Sequence, residues 1–236
     1  MAMASTNPSP ILPLAIAPLP IADAEEDRSR RLIAAAHQLL DEAGLEGLTI
    51  RAVLARTGLA RRAFYERFQG KDDLVLAVFD TTLRLAAYQF REMAAGAGDP
   101  AEALGTIVRG LVVGQAQLAG GLPGQMAADQ TLVGGAHLRS AALSREHLRL
   151  AQQRPAELKA ALEPLLDLVA GHIADGMEAG VFRKADPQLQ ARLIYNLVST
   201  TVHTLLLEEE GHAPNRSERE ALAEAIWSFC LRAIAV

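Results

Sequence analysis

Hydrophobic and polar positions along the chain repeat with the period of an α-helix almost throughout. The first clear apolar stripe lies between Arg28 and Ala43 and stops at Gly44, a residue type that commonly ends helices. Later stripes are interrupted at glycine- and proline-rich points. No stretch alternates apolar and polar residues in the way that half-buried strands do. The pattern therefore predicts an all-α fold.

Two short helix patterns follow the first helix and meet at a glycine turn. Thr49 opens an apolar stripe, which Thr57-Gly58-Leu59 interrupts, and a second helix is predicted from Ala60 to Arg67. Gly58 accommodates the positive φ that a sharp turn between crossed helices requires. The second helix has one packing face and one polar face, and the polar face carries Arg61, Arg62, Tyr65 and Glu66. Such a face suits the major groove of DNA, although a solvated face on an ordinary helical hairpin has the same pattern.

The residue types on this face can recognise nucleic acid. An arginine fork matches guanine or a phosphate, and a tyrosine hydroxyl can donate to a phosphate. Glu66 has two interpretations, since it either pairs with Arg62 four residues earlier or accepts from a cytosine amino group. Arg30 and Lys71 lie near helix starts, where a cation opposes the helix dipole. We therefore expect these two cations to contact the DNA backbone.

The order and spacing of these residues resemble the TetR-type transcriptional regulators over residues 28 to 75. The resemblance rests on Thr49, Thr57-Gly58-Leu59, Phe64-Tyr65 with Phe68, and the stretch from Gly70 to Leu74. It implies that Thr49, Tyr65 and Lys71 hold phosphates, and that Arg61 and Arg62 face bases or backbone. Three positions depart from the family pattern, namely Ala60, Glu66 and Arg67. The most consequential is Ala60, because it replaces a capping serine or threonine worth about 1 kcal/mol.

Composition and the family pattern together predict three regions. Residues 1–24 are expected to be a flexible tail, residues 25–74 a helix-turn-helix DNA-binding domain, and residues 75–236 a helical effector-binding and dimerisation domain. The tail contains five prolines and no basic residue, so it does not have the pattern of a secretory signal. We interpret it as partly polyproline, with docking against the body as the alternative.

Charge and cysteine content limit the classes of function. The net charge is −5, but residues 28–74 hold nine basic and six acidic residues, an excess of +3 in the segment expected to meet DNA. The single cysteine, Cys230, excludes an internal disulfide, which fits a cytoplasmic protein, and its apolar stripe favours a core role over a sensor role. No apolar run is long enough to span a membrane.

The last two helices are expected to form a homodimer interface. Asp186-Pro187 predicts a capped helix to about Leu207, and Ser217-x-x-Glu220 predicts a capping box for a helix to about Ile234. Both have enough apolar surface to pack within the monomer and against a second copy. The resemblance implies a four-helix interface. The residues predicted for it are Leu193, Leu197, Val202, Ile226 and Phe229.

An effector pocket is expected near the segment Gly110 to Gly135, which is glycine-rich and poor in large side chains. Loose packing there leaves room for an apolar small molecule, or these residues simply fill a helical core. The residues predicted for the pocket are Phe90, Met93, Met126, Met177, Asn196 and His203. Asn196, Thr200 and His203 are polar positions in an apolar helix, so they either orient a ligand or join the two subunits.

Motifs for metal, cofactor or catalysis are missing from the sequence. The six histidines form no H-x-x-x-H pair, although folding can still bring some of them together, and no phosphate loop or nucleophile elbow is present. We therefore predict a non-enzymatic, ligand-responsive transcriptional regulator, most often a repressor in this family. Its partners are a pseudo-palindromic double-stranded operator and an unknown apolar effector. The alternative is a small-molecule-binding protein whose helical hairpin contacts protein.

Overall fold

A computed structural model describes residues 21–113, 141–209 and 215–236. Within these ranges the chain forms nine α-helices, and no strand forms apart from a single bridge between Phe182 and Ala235. The helices are α1 Ile21–Gly47, α2 Ile50–Thr57, α3 Arg61–Tyr65, α4 Lys71–Ala94, α5 Pro100–Val113, α6 Ala141–Gln153, α7 Pro155–Glu178, α8 Pro187–Glu208 and α9 Arg216–Ile234. The predicted all-α fold is confirmed. No helix in the described ranges is long and apolar enough to cross a membrane.

The first helix differs from its prediction at one end. It begins at Ile21 rather than Arg28, so the last residues of the predicted tail are helical. At the other end Gly44 has φ 62° and ψ −165°, which interrupts the helix where the sequence predicted its stop. Glycine tolerates this conformation because it has no Cβ.

The last two helices begin at side-chain caps. The Asp186 carboxylate accepts from the amide of Gln188 at 2.9 Å, so the predicted cap of α8 is confirmed. The cap of α9 lies two residues before the predicted cap Ser217, because Asn215 caps the helix by accepting from the Glu218 amide. Asparagine is as good a cap as serine, so the helix begins after the earlier of the two residues.

Helix α4 joins the small N-terminal helices to the rest of the chain. It packs against α1 and also against α5, α6 and α7. Residues such as Leu32, Phe64 and Leu104 belong to one continuous buried core that reaches Trp227 in α9. Because the core is closely packed, a displacement of α4 would also displace the helices that pack against it, both in the N-terminal part and in the rest of the chain.

Helix α9 is fixed to α5 by charge and aromatic packing. The Arg109 guanidinium donates to Glu224 at 2.5 Å and lies 5.7 Å from the ring centre of Trp227. Cys230 is buried beside this contact region, and burial raises the pKa of its thiol. A buried, protonated thiol packs as a small apolar group, which agrees with the core role favoured by its sequence position.

The end of α7 depends on a close approach that only glycine permits. A Cβ built on Gly176 would lie 2.1 Å from Cδ2 of Phe182, whose ring is fully buried. Gly171 lies on the same helix, and a Cβ there meets no atom within 4 Å. The two glycines therefore form a matched pair for a stability test.

We expect Gly176→Ala to lower the free energy of unfolding by about 1–3 kcal/mol, because the Phe182 ring must move within a packed core. Gly171→Ala should raise it by about 0.4–1 kcal/mol, since alanine favours the helix and restricts the unfolded chain. Denaturant unfolding of the two variants checks both signs. Equal effects would contradict the close contact at Gly176.

Candidate functional site

Helix α2 is closed at both ends by the residues that the sequence singled out. The Thr49 hydroxyl accepts from the amide of Ala52 at 3.1 Å, as an N-cap does. Gly58 has φ 67° and ψ 13°, and its N–H donates to the Leu54 carbonyl at 2.9 Å. This left-handed glycine turns the chain sharply into α3. The predicted helix-turn-helix geometry is thus present.

Helix α3 is held by two aromatic side chains. Phe64 within the helix and Phe68 just after it are buried, with ring centres 5.5 Å apart. The ring of Tyr65 meets Phe64 edge-on at 5.3 Å. Since α3 has only five residues, this anchoring fixes which side of it faces outward.

The outward side of α3 presents two arginines and a tyrosine to solvent. The Arg62 guanidinium donates to Glu66 at 2.8 Å while 90% of its side chain stays exposed. The Arg61 guanidinium donates to the Tyr65 hydroxyl at 3.3 Å and lies 5.4 Å from the ring centre. In the chain without DNA, Glu66 therefore has the first of its two predicted arrangements, which is the pair with Arg62. An exposed pair of this kind is weak enough to exchange for a phosphate or a base.

The two cations expected at helix starts have internal partners in the chain alone. The Lys71 ammonium donates to the Leu45 carbonyl at 2.6 Å, near the end of α1. Arg30 lies 4.0 Å from Asp27, one helical turn before it. The prediction that Arg30 lies near a helix start is wrong, because α1 begins at Ile21 and Arg30 is therefore inside the helix. An ammonium carries three protons, so the bond to Leu45 leaves Lys71 capacity for a second acceptor.

The next two residues of α4 connect this module to α6 and α7. Asp72 accepts from Arg149 at 2.9 Å, and Asp73 accepts from Arg154 at 2.5 Å. Acidic residues at the start of a helix also suit the helix dipole. Their arginine partners lie far along the chain, so sequence spacing contains no signal for the two bridges.

Each of the two carboxylate–arginine bridges has further polar contacts. Arg149 also donates to the buried Glu146 at 2.7 Å. Burial alone would raise the pKa of Asp73, but the bonds from Arg154 and from the Gln69 amide outweigh it and lower that pKa. A lowered pKa means that this bridge stabilises the fold above the ordinary aspartate pKa and is lost as pH falls through the lowered value.

A cavity of about 190 Å³ lies between α4, α5, α6, α7 and α8. Its apolar walls come from Phe79, Leu83, Leu111, Leu148, Leu165, Val202 and Leu206. Its polar lining comes from Thr82, Ser144, His147, Tyr195, Ser199, Thr200 and His203. A mostly apolar cavity with a few convergent polar groups is the usual form of a small-molecule site.

The polar groups of the cavity are paired across helices. Ser144 Oγ and His203 Nδ1 share a hydrogen bond of 2.8 Å, and the Tyr195 hydroxyl lies 3.4 Å from His147 Nδ1. Burial, with a smaller contribution from His203, lowers the pKa of His147 from its ordinary 6.5. Burial also raises the pKa of the Tyr195 phenol. These two groups are therefore neutral at pH 7.

The sequence prediction found only part of this cavity. His203 lines it, whereas Phe90 is fully buried elsewhere and Asn196 is exposed. Met93 and Met177 pack against the core outside the cavity lining, and Met126 lies outside the described residues. The missed signal was the spacing of Tyr195, Ser199 and His203, which places one polar residue on each successive turn of the same helix face.

Exposed apolar side chains remain on the last two helices. Leu193 is 55% exposed on α8 and Phe229 is 58% exposed on α9. Leu197 and Val202 are partly buried, and Val202 also lines the cavity. Ile226 is buried within the monomer, because its side of α9 faces the core. The predicted interface residues thus divide between an outer face and the interior.

A metal site receives no support from the described part of the chain. There, no group of three or more histidine, cysteine, aspartate or glutamate side chains comes together in a way that could hold an ion. Folding does bring two of the six histidines, His147 and His203, to one cavity, a convergence that the sequence left open.

Comparison with known proteins agrees with the resemblance. Residues 32–78 match the family described as bacterial regulatory proteins, tetR family. A putative TetR-family regulator from Mesorhizobium loti has a similar structure, with a TM-score of 0.60 at 17% identity over 90% of this chain and 98% of that one. No curated protein matches the sequence. The resemblance to TetR-type regulators is thereby confirmed.

Two further similar structures contain ligands. FadR from Bacillus subtilis, in complex with stearoyl-CoA, has a TM-score of 0.58 at 18% identity over 85% of this chain and 96% of that one. RolR, in complex with resorcinol, has a TM-score of 0.59 at 18% identity over 91% of each chain. At this level of identity the likeness concerns the fold alone.

The absence of a cap on α3 gives a prediction. Ala60 has the extended backbone of an N-cap, φ −70° and ψ 151°, but no side chain caps the helix. We expect Ala60→Ser to stabilise α3 by roughly 0.5–2 kcal/mol, measured by amide hydrogen exchange. The control Ala63→Ser lies inside the helix and should destabilise it by up to about 0.7 kcal/mol. Destabilisation by Ala60→Ser would show that residue 60 is not the cap.

Proposed function

We propose that this chain, a TetR-type regulator in residues 32–78 and in its fold, binds an operator as a homodimer and responds to a small molecule held in the cavity. The observation that carries the DNA-binding role is the outward face of α3, where Arg61, Arg62 and Tyr65 are exposed above a buried aromatic anchor. Such a face reads base edges and phosphates when the helix lies in the major groove. The action we favour is repression that the effector relieves.

Dimerisation is supported by the exposed apolar side chains of the last two helices. Leu189 and Leu193 lie one turn apart on α8 and are about half exposed, as is Phe229 on α9. Burying a leucine or phenylalanine contributes about 1.5–3 kcal/mol, and a two-fold interface buries each residue twice. A dimer also places two α3 helices on half-sites about one DNA turn, roughly 34 Å, apart.

Communication between the cavity and the DNA-binding face is supported by the bridges at the start of α4. Helix α6 supplies Ser144 and His147 to the cavity and Arg149 to the bridge with Asp72. A ligand that displaces this helix therefore strains the bridge and shifts α4, to which the helix-turn-helix is attached. We infer that the bridge between Arg149 and Asp72 carries the signal. The bridge between Arg154 and Asp73 provides a second, parallel connection.

The DNA-binding role predicts the behaviour of two arginine variants. Duplexes selected from genomic fragments provide the operator, and fluorescence anisotropy measures affinity at several salt concentrations. Arg61→Ala and Arg62→Ala should each weaken operator binding by about 1–3 kcal/mol, because each removes a contact to base or phosphate. The matched control is Arg216→Ala, which breaks a similar 2.8 Å pair with Glu220 on α9.

Glu66→Gln separates the two interpretations of that carboxylate. Unchanged or tighter binding supports a role limited to pairing with Arg62, and relaxed base preference at one position supports contact with cytosine. Failure to select any duplex, or binding without the steep salt dependence of phosphate contacts, would reject the DNA-binding function in favour of protein contacts.

The dimer makes a separate prediction. Leu193→Glu should convert a dimer to a monomer in sedimentation velocity, because two carboxylates would be buried at the two-fold interface. Val236→Glu is the control, since it adds the same charge at an exposed apolar residue beyond α9. A dimeric Leu193→Glu protein would place the interface elsewhere.

If the two bridges carry the signal, operator binding should affect α6 and α7 even when no effector is present. Because coupling between sites is reciprocal, operator binding should slow hydrogen exchange in α6 and at the start of α7. The double variant Asp72→Asn with Arg154→Gln should remove that protection while operator binding persists. Arg84→Gln is the control, because it breaks a 2.8 Å pair with Asp80 inside α4 alone. Protection that survives in the double variant would exclude the bridges as the route.

A further inference from the structure

We infer that the cavity takes a neutral molecule of about one aromatic ring that carries a hydroxyl group, as phenols do. The inference rests on the proposed function only in treating this cavity as the effector site. Three properties of the lining narrow the class of ligand: its volume, its lack of carboxylate, lysine and arginine side chains, and one buried hydroxyl that has no partner.

The volume limits the size of the ligand. The cavity measures about 190 Å³, and a cavity of about 150 Å³ is known to hold benzene. One ring with one or two small substituents therefore fills it. Its apolar walls, such as Phe79, Leu165 and Leu206, suit the faces and edge of such a ring. A long acyl chain exceeds this volume.

The lining also sets the charge of the ligand. None of the described residues that line the cavity is an aspartate, glutamate, lysine or arginine. Moving a charged group from water into such surroundings is strongly unfavourable unless an opposite charge meets it. His147 does not supply one at pH 7, because burial lowers its pKa. A neutral ligand is therefore favoured over a carboxylate or an ammonium.

One polar atom marks where the ligand hydroxyl binds. Thr82 is 4% exposed, lines the cavity from α4, and has an Oγ1 atom without a hydrogen-bond partner in the described part of the molecule. Buried polar atoms are nearly always paired, so an unpaired one in a cavity wall indicates a missing partner. Ser144 already pairs with His203, and Tyr195 with His147, within the protein. A ligand hydroxyl that reaches Thr82 gives its Oγ1 atom the partner that it lacks.

Isothermal titration of the full chain at pH 7.5 tests size and charge with four probes. Phenol is the expected ligand type, benzoate is an anion of similar size, toluene has phenol's shape without the hydroxyl, and 1-dodecanol is neutral but long. We expect phenol to bind at least tenfold more tightly than benzoate or 1-dodecanol. Equal or tighter binding of either of those two probes would overturn the inference.

The role of Thr82 is tested by removing its hydroxyl while keeping its shape. Thr82→Val should weaken phenol roughly tenfold, the loss typical of one buried hydrogen bond, and leave toluene within about twofold. Thr204→Val is the matched control, because Thr204 is exposed on α8 and does not line the cavity. Phenol affinity unchanged by Thr82→Val, or equal losses for phenol and toluene, would overturn the assignment of the hydroxyl.

Operator affinity measured with the same probes separates this inference from the proposed function. Tight, Thr82-dependent phenol binding that leaves operator affinity unchanged supports the ligand class and rejects the effector role. Operator binding that responds only to a charged or long-chain compound supports the regulator and rejects the ligand class. Release of operator by phenol in the wild type, weakened in Thr82→Val, supports both.

Discussion

The first turn of α4 is the contact on which the arrangement of the molecule depends. Three successive side chains leave it in different directions: Lys71 reaches the end of α1, Asp72 reaches Arg149 on α6, and Asp73 reaches Arg154 before α7. Helix α3 has only five residues and no side-chain cap, so it cannot fix its own orientation. The buried rings of Phe64 and Phe68 and the first turn of α4 set that orientation instead.

Helix α6 places the cavity and the bridge within one and a half turns of each other. Ser144 and His147 line the cavity, and Arg149 follows two residues later on a different side of the helix. Glu146 is buried and pairs with the same arginine, so the guanidinium is held from two sides. One helix therefore contributes both to the cavity wall and to the bridge with Asp72, which is the connection that the proposed signal route requires.

Local rules predicted much of the fold and of the surface that we propose meets DNA. The cap at Thr49, the turn at Gly58 and the missing cap at Ala60 each depend on backbone chemistry within a few residues, so the sequence contains them. The bridges depend on helices more than 70 residues apart in the chain, and no local pattern encodes that approach. The cavity forms where five helices meet, and of the five proposed residues that the structure describes only His203 lines it.

In the proposed mechanism, the strength of the bridges limits how far a ligand can change operator binding. Partly exposed ion pairs contribute about 0–1 kcal/mol each, so two of them transmit at most about 2 kcal/mol per subunit. A two-fold dimer must fit both half-sites at once, which doubles the limit to about 4 kcal/mol, or roughly a thousandfold in affinity. A ligand shifts an equilibrium only by its differential affinity for the two states. The best small ligands gain about 1.5 kcal/mol per non-hydrogen atom, so a one-ring molecule can supply that difference. A fully buried junction would raise the free energy that the ligand has to supply, because breaking a buried ion pair costs more than breaking an exposed one.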